Sequence, residues 1–340
     1  MNNTSISKFR SLGVATILAV YLLILVGGAV RASGAGMGCP DWPTCFGRFV
    51  PPTSEQQLPD NYQQIYADRG YAETRFNVKK TWIEYLNRLL GVTIGIAIFL
   101  TMVASRKYWK PDPVVTGVCV AAFFAVAFQG WLGSRVVASN LAPGMITVHM
   151  LMAQVIVAML IYAIIRSQRA VADGTGLDKL PPVFHKVLLA AMGMILLQMV
   201  MGTQVRESVD IIAKAMSNES RELWIERLDL IFYVHRSFSS IILFTNLWLV
   251  WKLWTTLPAG NVIRKFAAAL AVLLVVTILL GVTMDRLHIP AFAQPLHLWF
   301  ASLIFGVQFS IYHLYLNGVN FGNRVSVAPM LHAGQDVPLR

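Results

Sequence analysis

Gly144-Met-Ile-Thr-Val-His149-Met-Leu-Met-Ala-Gln-Val-Ile-Val-Ala-Met-Leu-Ile-Tyr-Ala-Ile-Ile165 is the stretch that decides the fold. It contains no charged residue, and its polar side chains are few and scattered. A helix of this length rises roughly 33 Å, enough to cross a hydrocarbon layer about 30 Å thick. A soluble helix of the same length would carry a charged face. Seven further runs read the same way, so spans are expected over roughly 11–30, 84–105, 113–134, 144–165, 184–205, 230–252, 265–284 and 293–314.

Composition agrees. The chain has 340 residues, 56% of them hydrophobic and 13% charged, with a mean hydropathy of +0.58. A soluble domain carries about twice that charged fraction. The net charge of +11 does not imply a nucleic-acid partner, because the basic residues sit between the apolar runs, where membrane topology accounts for them. One side collects Lys8, Arg10, Arg106, Lys107, Lys110, Arg166, Arg169, Lys179, Lys186, Lys252, Arg264, Lys265 and Arg324, with few acids. The other mixes its basic residues with Glu207, Asp210, Glu219, Glu222, Glu226 and Asp229. Both termini are therefore expected on the cytoplasmic side of a bacterial inner membrane, with the long 31–83 loop facing outward. Neither a cleavable leader nor a transit peptide is expected. Of the three cysteines, Cys119 lies in an apolar run and reads as packing, whereas Cys39 and Cys45 lie together in the long loop.

An internal repeat organises the chain. Asn87-Arg88 matches His235-Arg236 at an offset of 235 − 87 = 148. His149 matches His297, and Gly133 matches Gly281, at the same offset. Gly27-Gly28-Ala29-Val30-Arg31 corresponds to the stretch Met201-Gly202-Thr203-Gln204-Val205-Arg206 at 206 − 31 = 175, so the first outer loop is 175 − 148 = 27 residues longer than the second. Copies four spans apart run in the same direction. The expected fold is an all-α membrane protein whose eight transmembrane helices form two pseudo-symmetric four-helix bundles, 1–170 and 171–340, related by an axis along the membrane normal.

His149, His235 and His297 lie near the starts of even-numbered spans, at the outer side. A lone membrane histidine serves equally as a helix–helix hydrogen bond. In the second half, however, two helices each present one at similar depth, and paired imidazoles on facing helices are how a bundle grips haem iron. Zinc fits less well, since it takes three or four protein ligands and no cysteine or carboxylate joins the pair. His185 and His313 sit at cytoplasmic helix ends, His288 in the last outer loop and His332 in a polar tail, and none is expected to be a ligand. Arg31, Arg88, Arg206 and Arg236 lie near the outer interface, where a guanidinium either holds a haem propionate through two hydrogen bonds or snorkels into the headgroups.

These residues resemble a known family. The stretch from Gly27-Gly28-Ala29-Val30-Arg31 through Ser33-Gly34-Ala35-Gly36-Met37-Gly38-Cys39-Pro40-Asp41-Trp42-Pro43 is similar to the first-loop signature of the haem A synthases, and Glu84-Tyr85-Leu86-Asn87-Arg88 is similar to their second-span motif. The number and order of spans and the placement of histidines agree over roughly residues 10 to 320. The resemblance implies oxidation of the methyl on ring carbon 8 of haem O to a formyl group, giving haem A. It implies a haem b cofactor in the second half on His235 and His297, with Arg206 and Arg236 nearby. It implies a substrate haem in the first half near Glu84 and His149, with Asn87, Arg88 and Arg31. It also implies a disulfide between Cys39 and Cys45, against two free thiols. Expected partners are the lipid bilayer and haem O, with haem O synthase, oxidase assembly factors and further copies of the chain as candidates.

One departure matters: many members have histidine where this chain has Asn87. The first-half haem then has His149 as its single histidine ligand and an open position, where Asn87 can hydrogen-bond a distal water or oxygen species. The same change also suits a relative that binds haem without oxidising it. Glu84 lies three residues before Asn87, on the same helix face, and reads either as a proton-handling group or as a solvated carboxylate at a helix start. Two other classes remain: a haem b electron-transfer subunit, for which the missing histidine is a handicap, and a haem transporter or chaperone, for which a parallel repeat would serve.

Overall fold

The computed structural model describes residues 3–72, 74–169, 174–217 and 219–319. Arg324 and His332 lie outside them. Eight long helices are joined by short connections and one long loop. They are α1 (Asn3–Ala32), α3 (Val78–Ser105), α4 (Pro113–Ala138), α5 (Pro143–Arg166), α6 (Phe184–Ala215), α7 (Leu230–Thr256), α8 (Val262–Arg286) and α9 (Ala293–Asn317), with a single-turn helix α2 (Tyr62–Ile65) in the long loop. All eight are long and apolar enough to cross a membrane, making this a multi-pass membrane protein. Leu18, Phe124, Phe244 and Val272 are each more than 60% exposed. A patch of this kind is untenable in water and ordinary against lipid.

Local chemistry sets the helix starts. Pro113 and Pro143 open α4 and α5, where the missing N–H costs nothing. Asn77 and Asn261 cap α3 and α8 by accepting hydrogen bonds from the N–H of Lys80 and Ile263. The expected spans fall inside the observed helices, with one substantial difference: α6 continues ten residues past the expected end at 205. Its extension buries Val209 and Ala213 against Trp224, Leu228 and Ile289. Arg206 therefore lies inside a helix and does not close it.

The helices of the two halves of the chain pack in matching patterns. In the first half α1 packs on α3 and α5, and α4 packs on both α3 and α5. In the second half α6 packs on α7 and α9, and α8 packs on both α7 and α9. The halves meet where α1 and α5 lie on α9 and where α5 lies on α6.

The repeat is visible in the backbone itself. Asn140 and Leu141 take φ of 54° and 61° after α4, and His288 and Ile289 take 54° and 56° after α8, at 288 − 140 = 148. In each copy an N–H reaches five residues back, Leu141 to the Val136 carbonyl and Ile289 to the Met284 carbonyl, both at 2.9 Å. This is the helix-ending bond that a left-handed residue permits. Two successive left-handed residues are costly for side chains such as Leu and Ile, and their recurrence indicates a turn fixed by the surrounding structure. The turn brings the next helix back so that His149 and His297 stand at equivalent heights. Gln154 Nε2 donates to Ser302 Oγ at 3.0 Å, and 302 − 154 = 148. Two repeat-equivalent residues are thus in direct contact across the halves.

Candidate haem site

The rings of His235 on α7 and His297 on α9 face each other with centres 6.4 Å apart. Two metal–imidazole bonds of about 2 Å, plus the half-width of each ring, come to about 6 Å between ring centres. The spacing thus suits one iron between the two. His297 Nδ1 is 3.0 Å from the Thr277 carbonyl. A carbonyl only accepts, so Nδ1 carries the proton and the Nε2 lone pair is free to bind a metal. Gln198 donates to the His235 carbonyl at 2.9 Å, and its amide nitrogen lies 3.4 Å from His235 Nε2. Among the described residues, His235 Nδ1 and Gln198 Oε1 are buried without hydrogen-bond partners. Among the described residues no group of three or more His, Cys, Asp or Glu is placed to hold a metal ion. A porphyrin-borne iron asks only for two axial ligands, and this pair fits it.

Both rings are seated on glycine. From where a Cβ would stand on Gly202, His235 Cε1 is 3.4 Å away, and from Gly281 His297 Cε1 is likewise 3.4 Å away. In the first half His149 Cε1 is 3.5 Å from the same point on Gly133. One turn before each glycine stands Gln198, Thr277 or Gln129, and each bonds the histidine beside it, Gln129 donating to the His149 carbonyl at 2.9 Å. The sequence repeat picks out the glycines. The polar residue one turn earlier carries no such mark, because its identity changes between copies.

A cavity of about 400 Å³ opens beside the imidazole pair and is lined by Arg31, Arg206, Arg236, Asp285 and Arg286 together with largely apolar side chains. Arg31, read from the sequence beside the first-half haem, lines this second-half cavity. At the outer end of α1, Gly28 lies against Pro295 of α9. Arg31 and Arg206 both pair with Asp210, at 3.2 and 2.6 Å, and Arg236 lies 3.5 Å from Asp285.

In the first half the long loop is tied to α3. Cys39 and Cys45 form a disulfide. Glu84 is buried, pairs with Arg88 and accepts a hydrogen bond from the Cys39 N–H at 2.9 Å. The reading of Glu84 as a solvated carboxylate is therefore corrected: the loop covers it. Arg88 also differs from expectation. It donates to the carbonyls of Asp41, Thr44 and Cys39 at 2.7, 2.9 and 3.2 Å, which directs its guanidinium into the loop. Gly38 lies so close to Lys80 and Thr81 that a side chain there would collide with their backbone. Tyr71 donates to the Met37 carbonyl at 2.9 Å, and burial, with Glu84 nearby, holds its phenol above the usual range. Asn87 Oδ1 and His149 Nδ1 are buried without hydrogen-bond partners among the described residues.

The other histidines have structural surroundings. His313 packs among Tyr162, Phe309 and Tyr312, and His288 forms the turn before α9. Cys119 is buried with Phe9, Val115 and Ile164, as expected of packing.

Comparison with known proteins places this geometry in context. Residues 10–309 match the family described as cytochrome oxidase assembly protein, COX15-CtaA. The chain is similar to the Heme A synthase of Shewanella oneidensis, 29% identical over 184 residues, covering 54% of this chain and 53% of that protein. It is also similar to the Heme A synthase of Shouchella clausii, 29% identical over 38% of this chain and 35% of the relative. A third, the Heme A synthase of Bacillus cereus, is 25% identical over 48% of this chain and 44% of the relative. The matched stretches span about half the length of these relatives or less.

Proposed function

This chain belongs to the COX15-CtaA family of cytochrome oxidase assembly proteins, and on that premise we propose that it converts haem O to haem A by oxidising the methyl on ring carbon 8 to a formyl group. The observation that carries the reading is the imidazole pair, 6.4 Å between ring centres, beside a cavity rimmed with arginines. In this reading the second half, 171–340, holds haem b on His235 and His297, with Arg206, Arg236 and Arg31 at its propionates. The first half, 1–170, receives haem O at His149. Haem b supplies a one-electron store between an external electron donor and the substrate.

Each oxidation balances with dioxygen as oxidant and the donor's electrons: methyl plus O2, two electrons and two protons gives hydroxymethyl and water, and a repeat gives the hydrated aldehyde and a second water. Loss of water then leaves the formyl group. Glu84 is assigned the handling of those protons, or the stabilisation of positive charge that develops beside it. Asn87 offers a hydrogen bond on the same helix face. The disulfide loop, held by Glu84 and Arg88, caps this end of the first bundle and excludes water. The basic residues on the side of the termini support a bacterial inner membrane with both termini cytoplasmic.

The test is expression with haem O supplied and extraction of the pigment. Formyl-bearing haem A in the extract, lost in E84A while haem b is retained, supports the reading. Bound haem b with haem O unchanged under turnover conditions would turn the assignment toward electron transfer.

A further inference from the structure

The glycine seats come in a set of four, and one of them differs. Gly133, Gly202 and Gly281 each have an imidazole carbon 3.4–3.5 Å from the point where a Cβ would stand. The fourth is Gly27 on α1, since 27 + 175 = 202 and 87 + 148 = 235 place Gly27 and Asn87 in the registers of Gly202 and His235. Among the described residues, no atom beyond the helix's own backbone and the two chain neighbours lies within 4 Å of the corresponding point on Gly27. The shorter Asn87 does not fill the seat, and its buried Oδ1 has no donor.

We propose that the first bundle binds haem iron through His149 alone, and that the space between Gly27 and Asn87 is a binding position for a small iron ligand carrying a hydrogen-bond donor, of about the size of imidazole. This rests on the haem-binding reading above and adds an asymmetry to it. The second bundle closes both axial positions with its own side chains. The first keeps the glycine seat but has replaced the ring with an amide whose oxygen accepts a hydrogen bond. A ligand that bonds iron through one atom and donates to Asn87 from another satisfies both partners.

The experiment uses detergent-solubilised full-length protein loaded with excess haemin, haem content being counted per chain and spin state read by absorption and electron paramagnetic resonance. The expected wild type has one low-spin and one high-spin haem, and added imidazole converts only the second to low spin. H149A loses the high-spin haem and retains the low-spin one. N87H is low-spin at both sites before imidazole is added. N87A stays high-spin in the first bundle and binds imidazole about fivefold more weakly, the loss of one hydrogen bond. Two low-spin haems in the wild type without added ligand, or a high-spin haem that survives H149A, would overturn the inference. Uptake of haem only at the His235–His297 pair overturns it too, while leaving the second-half reading intact. A protein that takes up no haem overturns the functional reading itself.

Discussion

His235 and His297, 62 residues apart in sequence, bring their rings to 6.4 Å between centres at an inclination of 58°. The two rings come from helices that each pack on both α6 and α8, so neither can reach the other without the whole bundle being formed. An iron between them needs both. H235A and H297A should each lower haem content by one per chain and abolish the low-spin spectrum, with helix content by circular dichroism unchanged. A single variant that kept the low-spin signal would exclude its residue as an axial ligand.

The glycine seats predict a dependence on side-chain size. At 3.4 Å a methyl group at Gly281 makes ordinary contact with His297 Cε1. G281A should therefore keep the low-spin haem. G281L would drive a branched side chain into the ring and displace it, at a cost of about 1–3 kcal/mol for an overpacked position. The expected result is loss of most second-bundle haem in G281L alone, measured in the same preparations. Ala and Leu both form helix better than Gly, so helix propensity cannot cause a loss; full retention of the haem in G281L would exclude the seat.

Much of this arrangement is legible in the sequence, and the exceptions have physical causes. Eight apolar runs mark eight crossings because the bilayer leaves no other place for them. The offset of 148 brings His149, His297, Gly133 and Gly281 into register because copies of one fold keep the same contacts. Arg31 is different. Its repeat position says that it resembles Arg206, not which cavity it lines, and that depends on how α1 packs against α9. The end of α6 was hidden for a similar reason: residues 206–215 are polar enough to read as loop, and the contacts with Trp224 and Ile289 that keep them helical are long-range. Arg88 reads as an interfacial cation until the loop carbonyls around it are seen.

Those carbonyls give a third prediction. Arg88 pairs with a Glu84 that is only 4% exposed and anchors three loop carbonyls besides. R88A leaves a buried carboxylate without its partner, a change worth about 3–5 kcal/mol. The loop should then be cleaved several-fold faster in limited proteolysis, and reduced Cys39 should alkylate more readily. Combining R88A with E84Q removes the stranded charge and should restore part of the stability, though not the anchoring of the loop. If R88A and wild type are cleaved alike, Arg88 does not hold the loop.

The pairing of Arg31 with Asp210 separates structural from ligand-binding roles. Asp210 is 44% exposed and Arg31 24%, so their 3.2 Å contact is largely solvated and contributes about 1 kcal/mol or less to folding. Asp210 also meets Arg206 at 2.6 Å with the same exposure, so D210A removes two such contacts and should lower stability by about 2 kcal/mol or less. Arg31 also lines the cavity beside His235 and His297, where a propionate would meet its guanidinium. A charge-assisted hydrogen bond is worth about 1.5–3 kcal/mol, so R31A should release the low-spin haem about tenfold faster or more to an excess of a haem scavenger. R31K should recover only part of this, because an ammonium cannot make the paired contact of a guanidinium. The spin state of the released haem decides which bundle Arg31 serves. Faster loss of the low-spin haem follows from its position beside the second bundle, whereas faster loss of the high-spin haem alone would return Arg31 to the first.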